Sequence, residues 1–226
     1  MTETPETIAV VGVTLDAVGP MVDAFAASTR PRRIRHHLDE GLRAKVAADG
    51  GVTHASLYRM TGIVEQAVDD GADAVLLTCT VFSPHVATLR RFFPVPIVAA
   101  DVAMLEAAAR LDRPAAILCT FPASLGTSLD MFHEAVRREG TSAVGETFLV
   151  DGAADALAAG DRERHDALVE ARARALARRG GAIVLAQMSM TAAARRLVDL
   201  TVPVLTSPAC AVAAVDAALA ARAPAP

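Results

Sequence analysis

Aromatic residues are scarce in this chain of 226 residues: tryptophan is absent, tyrosine occurs once, and all aromatics together make up 4%. Long hydrophobic runs are missing too, and no stretch reaches the roughly 18 apolar residues that a membrane-spanning helix needs. The opening residues, MTETPET, are polar and lack the basic segment and apolar stretch of a secretory signal. We therefore predict a cytoplasmic protein that has no membrane partner.

Cysteines are few and far apart, since the chain has only Cys79, Cys119 and Cys210. None of the close pairs typical of zinc knuckles or redox motifs is present, which predicts reduced thiols. The six histidines, which show no metal-ligand spacing, are His36, His37, His54, His85, His133 and His165. We therefore predict no metal site. The glycine spacing that cradles a pyrophosphate is also missing.

Charge of one sign does not dominate, because 22 Lys and Arg residues stand against 26 Asp and Glu residues and the net charge is −4. Two arginine-rich patches, RPRRIRHH and ARARALARR, lie beside or within helical patterns that also carry acids. A concentrated basic footprint of the kind that binds nucleic acid is therefore not indicated.

Small aliphatic side chains supply most of the 53% hydrophobic content, and they follow a regular pattern. Short β-branched runs alternate with longer alanine-rich amphipathic segments, which is typical of parallel sheets covered by helices. The predicted strands are 7–13, 73–78, 95–100, 115–120, 146–150, 182–186 and 202–206. The predicted helices include 54–70, 87–93, 103–111, 127–139, 162–179 and 209–222. The fold class is predicted to be α/β.

Two helix starts are marked by a serine followed by proline, at Ser83-Pro84 and at Ser207-Pro208. A serine hydroxyl can cap the first helical N–H groups, and proline costs no hydrogen bond at the first helical position. We therefore predict that a helix begins at each of these pairs.

An internal repeat emerges when the chain is shifted against itself by about 107 residues, because GADAVLLTC then pairs with GGAIVLAQ and VPIV with VPVL. The shift places Cys79 opposite Gln187. A duplicated unit predicts two similar lobes, one formed by 1–100 with 206–226 and the other by 101–205. Ligands of open α/β sheets lie beyond the carboxyl ends of the strands, so we predict the site in a cleft between the lobes.

Cys79 stands at the end of a predicted strand, in the stretch GADAVLLTCTVFSP. Two interpretations of Cys79 are open, a buried core residue and a functional thiol. Isolated cysteines are often inert and buried, which favours the first. Thr78 and Thr80 flank Cys79 and Ser83 follows, and so many polar groups are unusual for a core position. A thiolate there would serve as an acid, a base or a nucleophile.

Hydroxyl groups follow the other strand ends in the same way. Taken singly they are typical helix caps or turn residues. Together with loop N–H groups they are able to bind a carboxylate. They are Thr14, Thr120, Ser124, Ser189 and Thr191.

In the order of these motifs, the chain resembles the Asp/Glu/hydantoin racemase superfamily, whose relatives include maleate isomerase and arylmalonate decarboxylase. The resemblance covers nearly the whole chain and is carried by GADAVLLTCTVFSP, VPIVAADVAM, AAILCTFPAS and GGAIVLAQMSM…VPVLTSP. It implies a cofactor-independent isomerase that forms a homodimer or higher homo-oligomer. In the racemases of the superfamily two cysteines face each other across the substrate. Here Cys79 matches the first, whereas Gln187 stands in place of the second.

The resemblance implies proton transfer at Cys79 on a small carboxylic or carbonyl acid, with Cys79 and Gln187 as catalytic residues. The substrate-binding residues that it implies are Thr14, Thr80, Ser83, Thr120, Ser124, Met188 and Ser189. An amide does not exchange protons usefully, so two-base racemization is not expected. A single-cysteine decarboxylase or hydrolase and a non-catalytic binding protein for a small acid are the alternatives.

Overall fold

The computed structural model describes residues 5–222. Within that range the strands are β1 Thr7–Gly12, β2 Arg33–Leu38, β3 Ala74–Leu77, β4 Ile97–Ala99, β5 Ala115–Cys119, β6 Gly145–Leu149, β7 Ala182–Leu185 and β8 Val204–Thr206.

The α-helices of the same range are α1 Val18–Ala26, α2 Glu40–Ala48, α3 His54–Asp69, α4 Val86–Leu89, α5 Ala100–Arg110, α6 Ser124–Glu139, α7 Ala153–Ala158, α8 Arg162–Ala177, α9 Thr191–Ala194 and α10 Ser207–Ala220. Short 3-10 helices cover Leu15–Ala17, Thr80–His85 and Met188–Met190. None of the helices in the described range combines the length and the apolar character needed to cross a membrane.

The chain divides into two compact units. The first holds the described residues up to Ala100 and those from Pro208 onward, and the second holds Asp101–Ser207. Each unit contains a four-stranded sheet whose strands all run parallel, in the order β2-β1-β3-β4 and β6-β5-β7-β8. The predicted α/β fold, with two similar parallel sheets flanked by helices, is confirmed.

The predicted internal repeat is also confirmed, because the second sheet repeats the strand order of the first. The two Val-Pro segments even make the same backbone bond. Val75 N–H donates to the carbonyl of Pro96 over 2.9 Å, and Ile183 N–H donates to the carbonyl of Pro203 over 2.8 Å. Equivalent residues of the two units therefore lie at equivalent places in their own sheets.

The central strands form the core of each unit. Every residue of β1, β3 and β7 is buried, as expected for strands covered on both faces. In the second unit Ile183 and Leu185 of β7 lie in one cluster with Val169 of α8. Each such aliphatic side chain contributes about 1.5–3 kcal/mol when fully buried. Continuous apolar runs therefore fix the middle of both sheets.

Strand β2 was not among the predicted strands and corrects the interpretation of RPRRIRHH as a patch beside a helix. It pairs in parallel with β1 at the edge of the first sheet. Four of its six side chains are those of Arg33, Arg35, His36 and His37, so the apolar pattern of a buried strand is missing. Charged side chains are common on edge strands, where they discourage pairing with other chains.

The helix start predicted at Ser83-Pro84 is wrong. Both residues lie inside the 3-10 helix Thr80–His85, and α4 begins only at Val86. Short 3-10 turns commonly lead into α-helices, and here one makes the tight exit from β3. The start predicted at Ser207-Pro208 is confirmed, since α10 begins at Ser207.

Candidate active site

Cys79 lies directly beyond the carboxyl end of β3, in extended backbone at the start of the 3-10 helix Thr80–His85. Its carbonyl accepts the N–H of Phe82 over 3.0 Å. The preceding residue, Thr78, donates its N–H to the carbonyl of Val11 over 2.9 Å, which holds β3 against β1 up to this point. A buried strand and a tight turn thus fix the backbone of Cys79 from both sides.

Burial distinguishes Cys79 from Cys119. Cys79 is half-buried, whereas Cys119 is fully buried at the end of β5. Burial raises the pKa of the Cys119 thiol to about 11; a contact with Ser128 Oγ at 3.7 Å lowers it and the charge of Asp101 raises it further. Cys119 therefore stays protonated near neutral pH and lies in the core of its unit.

The strand end of β1 passes very close to Thr78. A Cβ atom added at Gly12 would lie 2.7 Å from Thr78 Oγ1, so a side chain at Gly12 would displace the residue before Cys79. Thr14, two residues further on, caps the 3-10 helix Leu15–Ala17. Its Oγ1 accepts the N–H of Asp16 over 3.3 Å and donates to Asp16 Oδ2 over 3.0 Å.

Gln187 occupies the equivalent place in the second unit. It follows β7 in extended backbone at the start of the 3-10 helix Met188–Met190, and its carbonyl accepts the N–H of Met190 over 3.0 Å. The residue before it, Ala186, donates its N–H to the carbonyl of Leu118 over 3.0 Å, as Thr78 does to Val11. Cys79 and Gln187 therefore each lie two residues beyond the corresponding strand of the two repeats, both in extended backbone.

Two other predicted site residues, Thr120 and Ser124, contact Gln187, although they lie 67 and 63 positions from it in the sequence. Gln187 Oε1 accepts the N–H of Thr120 over 2.7 Å and the Thr120 hydroxyl over 2.8 Å. Gln187 Nε2 donates to Ser124 Oγ over 3.2 Å. Thr120 and Ser124 are buried, at 7% and 2% exposure, and Gln187 is half-buried. We call these three residues the Gln187 network.

The other predicted residues have separate surroundings. Thr80 and Ser83 are buried in the 3-10 helix that follows Cys79, and Ser189 is half-buried. Met188 is buried, and its Sδ accepts a hydrogen bond from the hydroxyl of Ser207 over 3.3 Å.

Sequence reasoning did not single out Asp101. This carboxylate lies buried in the first turn of α5, and its charge acts on Cys119. The only signal available was an acid two residues beyond the end of β4, directly after a Val-Pro strand. An acid there is ordinarily a favourable neighbour of the positive helix end, so nothing in the sequence pointed to a site.

Metal-binding clusters are not found in the part of the chain that the structure describes: no group of three or more His, Cys, Asp or Glu side chains is placed to hold an ion. The candidate chemistry at these strand ends is that of a thiol, an amide and hydroxyl groups.

Residues 6–215 match the model of the Asp/Glu/hydantoin racemase family. The chain belongs to this family. The match takes in both strand ends and nearly the whole chain, and it confirms the predicted resemblance. No curated protein sequence matches the chain significantly.

Solved structures of racemases share the fold at low sequence identity. An aspartate racemase of Picrophilus torridus is 13% identical with a TM-score of 0.71, and the match covers 94% of each chain. A glutamate racemase of Bacillus anthracis is 12% identical with a TM-score of 0.70, covering 95% of this chain and 82% of the other. An allantoin racemase of Klebsiella pneumoniae is 22% identical with a TM-score of 0.63, covering 96% and 88%.

The family assignment confirms the prediction of an isomerase-type enzyme with a small-molecule substrate. The assignment does not test the finer predictions. The catalytic role of Cys79, the cytoplasmic location and the homo-oligomer stay predictions.

Proposed function

We propose that this member of the racemase family is a cofactor-independent enzyme that transfers a proton at Cys79 to or from a small carboxylic or carbonyl acid. The observation that carries the proposal is the position of Cys79. It lies two residues beyond a buried central strand yet is itself half-buried, at the position where the resemblance implies the first cysteine of the racemases. A thiol in that position can reach a ligand, whereas the sealed Cys119 cannot.

Proton transfer at carbon, the reaction proposed for Cys79, suits a thiol. A thiolate removes a proton from the carbon next to a carboxylate or carbonyl, and the charge that develops on the oxygen needs hydrogen-bond donors to stabilise it. Donors close to the strand ends are therefore part of the proposal. Of the predicted substrate-binding residues, Thr80, Ser83, Ser124, Met188 and Ser189 supply them through side-chain or backbone groups. The hydroxyls of Thr14 and Thr120 already donate to Asp16 and Gln187 within the protein.

Gln187 limits what the enzyme can do with the proton. A carboxamide neither accepts nor releases a proton near neutral pH, and Thr120 and Ser124 already hold this one by hydrogen bonds. The chain therefore has one acid–base group where two-cysteine racemases have two. We propose that the proton is exchanged on one face of the substrate.

The decisive experiment is deuterium exchange at the substrate's acidic carbon. Aspartate, glutamate, allantoin and simple hydantoins are incubated with the enzyme in D2O and followed by proton NMR and chiral chromatography. We expect exchange without racemization on at least one compound, and Cys79→Ala should lower the rate by at least about a hundredfold, as for loss of a general base.

The matched control is Cys210→Ala, because Cys210 is also half-buried but does not end a strand. Its exchange rate should stay near that of the wild type. An active Cys79→Ala variant would overturn the proposal. Equal losses in the two variants would do the same.

A single-cysteine lyase is the second candidate, and Gln187 is the observation that favours it. Protonating a carbanion after a bond to carbon breaks requires only one acid, which Cys79 supplies without a second thiol. Phenylmalonate distinguishes the two candidates. A lyase releases CO2 from it and incorporates one solvent deuterium, whereas an isomerase leaves the substrate mass unchanged apart from exchanged hydrogen.

A further inference from the structure

We infer that Gln187 is a fixed hydrogen-bond donor that selects a substrate with a carboxylate oxygen at this position. The inference names a substrate class for the proposed enzyme and rests on that proposed function. It follows from the direction of each hydrogen bond in the Gln187 network, all of which lies within the second unit.

The orientation of the Gln187 amide is determined by its partners. A backbone N–H can only donate, so the atom 2.7 Å from the Thr120 nitrogen must be the amide oxygen. The Thr120 hydroxyl also donates to that oxygen over 2.8 Å. Two donors occupy both lone pairs of Oε1, and the oxygen has no acceptor capacity left for a ligand.

The nitrogen of the amide, unlike the oxygen, keeps hydrogen-bonding capacity for a ligand. Nε2 carries two hydrogens, and one of them is donated to Ser124 Oγ over 3.2 Å. No acceptor for the second hydrogen occurs among the hydrogen bonds of the described residues. Gln187 is half-buried, so a ligand can take this hydrogen. The residue therefore offers a ligand a donor and not an acceptor, which favours an oxygen and excludes an ammonium group.

Two further features favour a charged oxygen over a neutral one. Ser124 accepts from Gln187, so its own hydroxyl hydrogen is a second donor beside the amide. Ser124 is also the first residue of α6, a helix of 16 residues without a side-chain cap and without an acid in its first turn. The positive end of that helix is not neutralised within its own first turn, and it stabilises an anion close to Ser124.

Glutamate at position 187 separates this role from a structural one. Thr120 can donate its N–H and hydroxyl to a carboxylate as it does to the amide, so Gln187→Glu should keep the network folded. The variant replaces the donor with an anionic acceptor. We expect Gln187→Glu to weaken binding of an anion by at least about tenfold, the effect of losing a charge-assisted hydrogen bond.

The probes are malonate and malonamide, which have similar size but differ in charge, titrated into the full chain while its thermal unfolding is followed. Wild type should bind malonate more tightly than malonamide. The matched control is Gln66→Glu, which makes the same change at the chain's other glutamine, on the exposed face of α3. It should bind malonate like the wild type.

Three results would overturn the inference: no preference of the wild type for malonate, equal binding by Gln187→Glu and Gln66→Glu, or full binding by Gln187→Met. The methionine variant removes the donor without adding charge and gives the same test if Gln187→Glu does not fold. Binding does not require turnover, so Cys79→Ala should still bind malonate. The inference and the proposed function can therefore fail separately.

Discussion

At the scale of single residues, the described cysteines differ in burial and hence in the chemistry open to them. Cys79 and Cys210 are half-buried, and Cys119 is fully buried among the side chains at the end of β5. Desolvation penalises the thiolate of a buried cysteine. Cys119 therefore contributes to stability as a neutral group, and this contribution depends on pH.

The raised pKa of Cys119 predicts a loss of stability in alkali. An unfolded cysteine has its ordinary pKa near 9, whereas the folded value is about 11. Between these values the unfolded chain releases a proton that the folded chain keeps, so the free energy of unfolding falls as pH rises. A shift of this size corresponds to about 2–3 kcal/mol. Urea unfolding at pH 8 and pH 10.5 under reducing conditions measures the fall.

Cys119→Ala provides the comparison for this prediction. The variant should be less stable at pH 8 because it leaves a cavity, but its stability should fall less between the two pH values. Cys210→Ala should keep most of the wild-type fall, since Cys210 is only half-buried. Parallel curves for wild type and Cys119→Ala would contradict the assignment of the pH dependence to Cys119.

At the scale of elements, buried strands could be predicted and the charged edge could not. Strands β3 and β7 are short runs in which every side chain is buried, so hydrophobicity alone marks them. Strand β2 alternates exposed arginines with half-buried residues and takes its hydrogen bonds from β1. Pairing with a neighbour distant in the sequence determines such a strand, and no local pattern records that pairing.

The candidate site, too, could be predicted only in part. Its strand ends and their equivalence were predictable, because the repeat places Cys79 opposite Gln187. The Gln187 network was not, since Thr120 lies 67 positions from its partner and a hydroxyl at a strand end is equally suited to capping. Only the structure gives the direction of each hydrogen bond, from which we infer that Gln187 is a donor toward a ligand.

Arg32 joins three elements of the first unit. It stands just before β2 with a side chain only 7% exposed, and it pairs with Glu6 before β1 and with Asp216 of α10 over 2.7 Å. Arg32→Ala would leave both carboxylates without this cation. The two carboxylates are partly exposed, so we expect a loss of about 2 kcal/mol, between the values for exposed and buried pairs.

Urea unfolding of Arg32→Ala and of Arg33→Ala tests this prediction. Arg33 is the exposed neighbour on β2, and its loss should change the free energy of unfolding by no more than about 0.5 kcal/mol. Similar midpoints for the two variants would show that the ion pairs of Arg32 do not stabilise the fold.

At the scale of the whole molecule, the duplication gives each unit a complete four-stranded sheet. Both sheets have two central strands and two edge strands in the same order. The second unit is one continuous stretch, whereas the first needs residues from both ends of the chain. We propose that the units are also separate folding domains, and the continuous one allows a direct test.

We expect residues 101–207 expressed alone to fold cooperatively. The segment holds all four strands of its sheet and the cluster around Leu118, Val169, Ile183 and Leu185. Domains of this size retain a few kcal/mol, on the order of 0.05 kcal/mol per residue. Circular dichroism during urea unfolding measures the transition. Residues 101–190, which lack α9 and β8, are the control and should not fold, because β7 would keep β5 but lose its other neighbour, β8. A non-cooperative transition in the longer segment would show that the second unit depends on the first for its stability.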